Sequence, residues 1–213
     1  MNGFTLFQAI KNVSNALLSL TLVTAITIVP LVNANTQAAE QPVKKDIVSL
    51  DSLTNYQINN RFMQSSGLPA PEHFAFLKAA GVTHVIDLIP GDRGNEAGLT
   101  QALGLHYTNI PVDWEQPTVE HFERYILAMA QAEPAKEKVL THCKLNWRGA
   151  SFTYLYRITV LGEDEKVAKE DLLSIWQPNV TWFTFMGEAI SRYNTKHNTS
   201  VSMSFVPSVE QDQ

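Results

Sequence analysis

The segment from Val139 to Ser151 contains the residues best suited to chemistry. It begins as a short apolar run typical of a strand and continues into residues 150–156, which are typical of a buried helix. The only cysteine of the protein, Cys143, begins the loop between them, and Arg148 ends it. A strand–loop–helix unit directs backbone N–H groups and a helix N-terminus at one point, which predicts an anion-binding site.

This unit predicts a nucleophile and a phosphate ligand. A positive field of this kind favours the thiolate form of a cysteine, and the thiolate is the nucleophilic form. Arg148 adds a planar fork of N–H donors that matches the oxygens of a phosphate group. The alternative role for a lone cysteine such as Cys143 is that of a small buried apolar residue.

His142-Cys143, a short loop and an arginine at the start of a helix resemble the signature of cysteine-dependent protein tyrosine and dual-specificity phosphatases. The helix–Gly–strand unit at 71–89 and the segment Ile-Pro-Val-Asp-Trp at 110–114 also resemble this family, in its bacterial dual-specificity form. The resemblance covers residues 55–194. It implies a dual-specificity-phosphatase-like fold and hydrolysis of phosphate monoesters through a phosphocysteine, with no cofactor.

The loop departs from the family pattern at three points. It places four residues between Cys143 and Arg148, where the family has five. The family's loop glycine falls at Asn146, the residue type that best replaces glycine in a left-handed conformation. The family's Ser or Thr after the arginine is Gly149, and the next hydroxyl is Ser151. Two alternatives therefore stay open: a rhodanese-like sulfurtransferase that uses a Cys143 persulfide, and a phosphate-binding pseudophosphatase.

The resemblance implies an acid that protonates the leaving oxygen. Asp113 would take this role by its place in the Ile-Pro-Val-Asp-Trp segment, and Asp92 and Glu115 are the other candidates. The neighbouring Trp114 would either close over the site or pack beneath it.

The resemblance also implies a cradle for the phosphoryl oxygens. It would comprise Lys144, Leu145, Asn146, Trp147 and Arg148. His142 would support the thiolate through hydrogen bonds, and Ser151 would donate to the departing thiolate. The ring of Trp147 would form either the floor or the lip of the pocket, and Lys144 would either attract an anionic substrate or remain solvated.

The elements that position these residues alternate between helix and strand. This alternation predicts a single α/β domain with a mainly parallel central sheet flanked by helices. Strands are predicted at 82–89, 105–110 and from 139, and helices at 71–80, 96–103, 119–132, from 150, 166–176 and 180–192. Ligand sites in such sheets lie at the carboxyl ends of strands, which is where Cys143 falls.

The two ends of the chain are predicted to lie outside this domain. Residues 1–38 combine one lysine, an apolar run at 16–32 and short side chains at two cleavage sites, Val32-Asn33-Ala34 and Thr36-Gln37-Ala38. This pattern predicts a secretory signal peptide, hence a periplasmic or secreted protein with no stable membrane insertion after cleavage; an uncleaved signal anchor is the alternative. Residues 39–54 are predicted as a linker and N-terminal wrap, and 195–213 as a disordered tail.

Composition limits the partners. The formal net charge is −5 and no basic patch stands out, which argues against nucleic acid. The six histidines and one cysteine show no metal-ligand spacing, so no metal is predicted. The expected partner is a phosphorylated protein or small molecule. The sequence does not determine the natural substrate or the oligomeric state.

Overall fold

A computed structural model describes residues 49–208 of the 213-residue chain. The predicted signal peptide, 1–38, and most of the predicted linker lie outside these residues, so both stay predictions. Among the helices of residues 49–208, none is both long enough and apolar enough to cross a membrane.

The described residues form a five-stranded sheet with six α-helices. The strands are β1 (Gln57–Ile58), β2 (Met63–Ser66), β3 (Val82–Asp87), β4 (His106–Asn109) and β5 (Lys138–His142). Their order is β1-β2-β5-β3-β4, with β1 antiparallel to β2 and every other pair parallel. The helices are α1 (His73–Ala79), α2 (Gly94–Ala102), α3 (Val119–Met129), α4 (Trp147–Thr159), α5 (Glu165–Ile175) and α6 (Val180–His197).

The central strands bury side chains on both faces. Successive residues of a strand point to opposite sides, so Val85 and Leu140 join one apolar cluster with Leu77 of α1. Ile86 and Val139 join the other cluster, which contains most of the buried residues of α3 to α6. In βαβ connections the helices cover both faces of the sheet, so its central strands bury apolar side chains on both sides. The predicted single α/β domain with a mainly parallel sheet is confirmed.

Strand β2 was missed by the sequence analysis because its sequence, Met-Gln-Ser-Ser, is mostly polar although all four residues are buried. Each polar side chain has a partner that compensates its burial. Gln64 Oε1 accepts a hydrogen bond from the Tyr56 hydroxyl at 2.9 Å, and the Ser66 hydroxyl donates to the Gly67 carbonyl at 2.8 Å. Apolar periodicity could not reveal a strand satisfied in this way.

The folded domain is wider than the predicted 55–194. At its start, Leu53 is buried and the Thr54 carbonyl accepts a hydrogen bond from the Gly67 N–H at 2.7 Å. At its end, α6 extends to His197, and the prediction of disorder from residue 195 is wrong over 195–208. The apolar side chains that anchor this end against the core are Val201, Met203 and Phe205. Three spaced residues in a polar tail are too few to show a period, which is why the pattern was missed.

Candidate active site

The loop between β5 and α4 lies at the carboxyl edge of the sheet, as predicted for Cys143. The turn into α4 is made by Asn146, whose φ of 67° is left-handed. Its side-chain amide donates to the Asn55 carbonyl at 2.7 Å and to the Ser65 hydroxyl at 3.0 Å. Asparagine tolerates this backbone region better than other non-glycine residues, and the two hydrogen bonds fix the turn to β2 and its preceding segment.

Gly149 and Asn146 depend on each other. A Cβ atom built at Gly149 would clash with Asn146 Oδ1, so a residue larger than glycine could not follow Arg148 while the asparagine keeps this position. Two departures from the phosphatase pattern, asparagine for the loop glycine and glycine for the hydroxyl residue after the arginine, are therefore sterically coupled.

The loop backbone is oriented by segments outside it. The Lys144 carbonyl accepts from the Leu68 N–H at 3.1 Å, and the Leu145 carbonyl accepts from Asn55 Nδ2 at 2.9 Å. In a trans peptide the N–H points opposite to the C=O, so the Leu145 N–H points away from the segment that holds the Lys144 carbonyl. Leu145 also forms an antiparallel bridge with Gly67, which ties this part of the loop to the end of β2. The N-terminus of α4 adds its partial positive charge on the same loop.

A pocket of about 270 Å³ opens at this loop, and five of the predicted residues line it. They are Cys143, Lys144, Leu145, Trp147 and Arg148, and Trp114 completes the lining. Cys143 is 1% exposed, so the pocket reaches a thiol that is otherwise buried. Arg148 Nε is buried without a hydrogen-bond partner among residues 49–208, which leaves part of its donor fork available to an anion.

All four tryptophans of the protein gather beside this pocket. The Trp147 ring stacks on Trp176, with centroids 5.4 Å apart, and approaches Trp114 at 5.6 Å. Trp114 in turn stacks on the buried Trp182 at 5.1 Å, and its carbonyl accepts from Trp182 Nε1 at 3.0 Å. The guanidinium carbon of Arg148 lies 5.5 Å from the Trp114 ring centroid, within cation–π range. Trp147 therefore forms a lip of the pocket, and Trp114 both packs and lines it.

Four predicted residues lie outside the lining: Asn146, which makes the turn described above, His142, Asp113 and Ser151. Asp113 is exposed and its carboxylate accepts from the Glu115 N–H at 2.9 Å. It stands one residue from the pocket wall at Trp114, within the predicted segment. The Ser151 hydroxyl is buried and donates to the Trp147 carbonyl at 3.0 Å, one helical turn back, so it stabilises the start of α4.

His142 faces a buried polar cluster that the sequence analysis missed. Its Nε2 lies 2.8 Å from Glu96 Oε1 and 3.8 Å from Asp87 Oδ1. Arg93 holds the other oxygen of each carboxylate: its Nε lies 2.5 Å from Asp87 Oδ2, and its Nη2 contacts Glu96 Oε2. Tyr107 donates to Asp87 Oδ2 at 2.7 Å. We refer to Asp87, Arg93, Glu96, Tyr107 and His142 as the His142 cluster.

The His142 cluster is deeply buried. His142 and Asp87 have side chains that are 0% exposed, and Glu96 is 10% exposed. Burial, followed by the hydrogen bond and charge of Asp87, raises the pKa of Tyr107, so its hydroxyl remains a donor. Burial opposes the charge on Arg93, but the hydrogen bond and charge of Asp87 outweigh it and raise the pKa of Arg93. The members of the cluster are spread between positions 87 and 142 of the chain. The only signal that the sequence offered was that Asp87 and His142 lie at or near the ends of strands.

Comparisons with known proteins agree with this geometry. No family model matches the chain, and no curated protein matches it. Among solved structures, a candidate phosphatase of the DUF442 group from Shewanella putrefaciens CN-32 is 31% identical, with 68% of this chain covering 96% of that one at a TM-score of 0.59. TpbA from P. aeruginosa is 19% identical, and the match covers 68% of this chain and 92% of TpbA with a TM-score of 0.55. PTPMT1, solved in complex with PI(5)P, is 17% identical, and the match covers 66% of this chain and 97% of PTPMT1 with a TM-score of 0.57.

Proposed function

Because the chain belongs to the superfamily of cysteine-dependent tyrosine and dual-specificity phosphatases, we propose that it hydrolyses phosphate monoesters through a phosphocysteine on Cys143. The Cys143 sulfur attacks phosphorus, and the bond from phosphorus to the ester oxygen breaks. Water then attacks phosphorus, releases inorganic phosphate and returns the thiolate. The observation that carries the proposal is that Cys143 and Arg148 line one pocket at a helix N-terminus.

Arg148 and the loop amides have the chemistry to bind the phosphoryl group. The guanidinium fork pairs with two oxygens, and its unpartnered Nε means that it does not have to break a protein hydrogen bond to do so. The Lys144 carbonyl is held by the Leu68 N–H, which leaves the opposing N–H of Leu145 for the developing charge. Preorganised donors of this kind are typically the largest single contribution to such a reaction.

Asp113 is proposed as the acid that protonates the leaving oxygen. Its support is its place beside Trp114, which lines the pocket. Since the Asp113 side chain is exposed and bonded to Glu115 N–H, the carboxyl group has to rotate inward when substrate binds. Asp113→Asn should slow hydrolysis of esters with poor leaving groups far more than those with good ones. Equal losses for both would remove Asp113 from this role.

The pocket walls favour an aryl ester. Trp114, Leu145 and Trp147 make the wall apolar and aromatic beside the cationic Lys144 and Arg148. A flat aromatic leaving group stacks on indole rings while its phosphate reaches the cations, so phosphotyrosine-like substrates fit better than small alkyl phosphates. The proposed class is therefore a protein tyrosine/dual-specificity-type phosphatase.

A paired assay tests the reaction. The wild-type protein and Cys143→Ser are incubated with an aryl phosphate, and separately with thiosulfate and cyanide. We expect phosphate release that falls by at least about 10³-fold in Cys143→Ser, because no other thiol exists to replace it. Thiocyanate without phosphate release would favour the sulfurtransferase, whose four-residue spacing this loop shares. Neither product, with phosphate still bound at the loop, would favour the pseudophosphatase.

Export is proposed from the N-terminal sequence alone. Its support is the apolar run at 16–32 followed by short residues at two cleavage sites. N-terminal sequencing of the protein from a periplasmic fraction should find residue 35 or residue 39 first. Recovery of the intact chain in the membrane fraction would instead favour the signal anchor.

A further inference from the structure

We propose that Asp87, Glu96 and His142 form a binding site for a divalent transition-metal ion of the zinc type. The site lies behind the proposed active-site loop, and its ligand His142 directly precedes Cys143. Its three possible ligand atoms, Asp87 Oδ1, Glu96 Oε1 and His142 Nε2, all lie within 4.8 Å of one another.

The first support is that two of these atoms are buried without a hydrogen-bond partner. His142 Nε2 and Glu96 Oε1 approach to 2.8 Å, yet neither makes a hydrogen bond of acceptable geometry within residues 49–208. A neutral imidazole can carry its hydrogen on Nε2, but a ring N–H there does not meet Glu96 Oε1 with acceptable hydrogen-bond geometry. A metal ion between the two atoms would satisfy both, and a hydrogen on Nε2 is the alternative that the experiment has to exclude.

The second support is how the remaining carboxylate oxygens are held. Arg93 bonds to Asp87 Oδ2 and Glu96 Oε2, and the Tyr107 hydroxyl bonds to Asp87 Oδ2. The oxygens facing His142 are the other two, so Arg93 stands on the far side of both carboxylates. Ligating carboxylates in metal sites are commonly held by outer hydrogen bonds in this manner.

The third support is charge. The carboxylates of Asp87 and Glu96 contribute two negative charges, and Arg93 contributes one positive charge. The net charge of these three groups is therefore −1, and buried charge is costly unless it is balanced. This negative charge favours a cation on the side of the carboxylates that faces His142.

The backbone and the surface both suit a metal. Asp87 and His142 are directly paired across β3 and β5, so their side chains lie on the same face of the sheet, and Glu96 comes from the first turn of α2. A separate pocket of about 280 Å³, lined in part by Phe74, Arg93 and Glu96, brings solvent to one of the three ligand residues. Imidazole nitrogen with carboxylate oxygen selects zinc-type ions over Mg²⁺, which prefers oxygen alone.

Calorimetric titration of the tag-free, metal-stripped protein with Zn²⁺ tests the site. We expect one Zn²⁺ per chain, no comparable binding of Mg²⁺, and an at least about tenfold weaker affinity in Glu96→Gln, whose amide can still accept from Arg93. Circular dichroism confirms that the variant folds. The absence of Zn²⁺ binding would mean that a hydrogen on Nε2 bridges the two atoms, and an unchanged affinity in Glu96→Gln would place the ion elsewhere. Either result would overturn the proposal.

Two variants exclude other zinc ligands. Cys143→Ser removes the only thiol, and His106→Gln breaks the stacked pair of His84 and His106, whose ring centroids lie 4.5 Å apart. Both should keep the wild-type stoichiometry and affinity. X-ray absorption of the zinc complex should show only nitrogen and oxygen donors. A sulfur shell near about 2.3 Å would place the ion at Cys143 and overturn the assignment, whatever the outcome of the phosphatase assay.

Discussion

The pocket at Cys143 and the His142 cluster begin at adjacent residues of one strand end, but they are built in opposite ways. The pocket takes five of its six lining residues from the continuous stretch Cys143–Arg148, and it leaves an arginine nitrogen unpaired. The His142 cluster draws on β3, α2, β4 and β5, and it holds Arg93 between two carboxylates. The two regions therefore suit different roles. The free cationic donors of the pocket suit substrate binding, whereas the paired charges of the His142 cluster suit the positioning of strands and of the proposed metal ion.

The largest expected effect is on stability, from Arg93→Met. This change leaves the fully buried Asp87 without its guanidinium partner. We expect the free energy of unfolding to fall by about 3–5 kcal/mol, because an unpaired buried charge is left behind. Urea denaturation measures it. The control is Arg192→Met, which removes a surface ion pair with Glu123 and should cost no more than about 1 kcal/mol. Equal costs would show that the His142 cluster contributes little to stability.

On the pocket side, Arg148→Met should lower activity while sparing the fold. Its Nε has no hydrogen-bond partner to lose among residues 49–208, and the cation–π contact with Trp114 is weak, so we expect the free energy of unfolding to fall by about 1 kcal/mol or less. Steady-state kinetics on an aryl phosphate should show kcat/KM reduced by about 10²–10³-fold. The matched control is Lys144→Met, an exposed cation of the same pocket, with an expected loss of about tenfold or less. A stability loss like that of Arg93→Met would contradict the proposed contrast.

A double-mutant cycle tests the steric link in the loop. Gly149→Ser should destabilise the protein by about 1–3 kcal/mol, because the new Cβ meets Asn146 Oδ1. Asn146→Gly should also destabilise it, since two hydrogen bonds to Asn55 and Ser65 are lost. The double variant restores both family residues and should cost less than the sum by at least about 1 kcal/mol in urea denaturation. Simple additivity would show that the two departures are independent.

The smallest expected effect concerns substrate choice. Trp147→Ala removes one aromatic lip of the pocket, and Trp147 is 36% exposed, so the fold should tolerate the loss. We expect the ratio of kcat/KM for an aryl phosphate to that for an alkyl phosphate to fall by about three- to tenfold, the value of one aromatic contact. Leu145→Ala, a pocket residue without a ring, is the control and should leave this ratio nearly unchanged. A similar fall in both variants would argue for general apolar burial.

Much of the fold could be predicted because its signals are local. The alternation of apolar strands with amphipathic helices predicted the mainly parallel α/β sheet, and Cys143 was correctly placed at the carboxyl end of β5. Strand β2 and residues 198–208 could not be predicted in the same way. Their burial is satisfied by partners distant in sequence, such as Asn146 for Ser65, and it leaves no apolar period.

The sequence alone indicated the loop with its cysteine, arginine and left-handed asparagine, because a tight turn between a strand and a helix is encoded by neighbouring residues. Only the tertiary structure decided how the four tryptophans pack together beside the pocket and why glycine must follow Arg148. It also decided that Asp87 and Glu96 face His142 from two other elements. Strand register and helix packing create these contacts, and neither can be read from spacing along the chain.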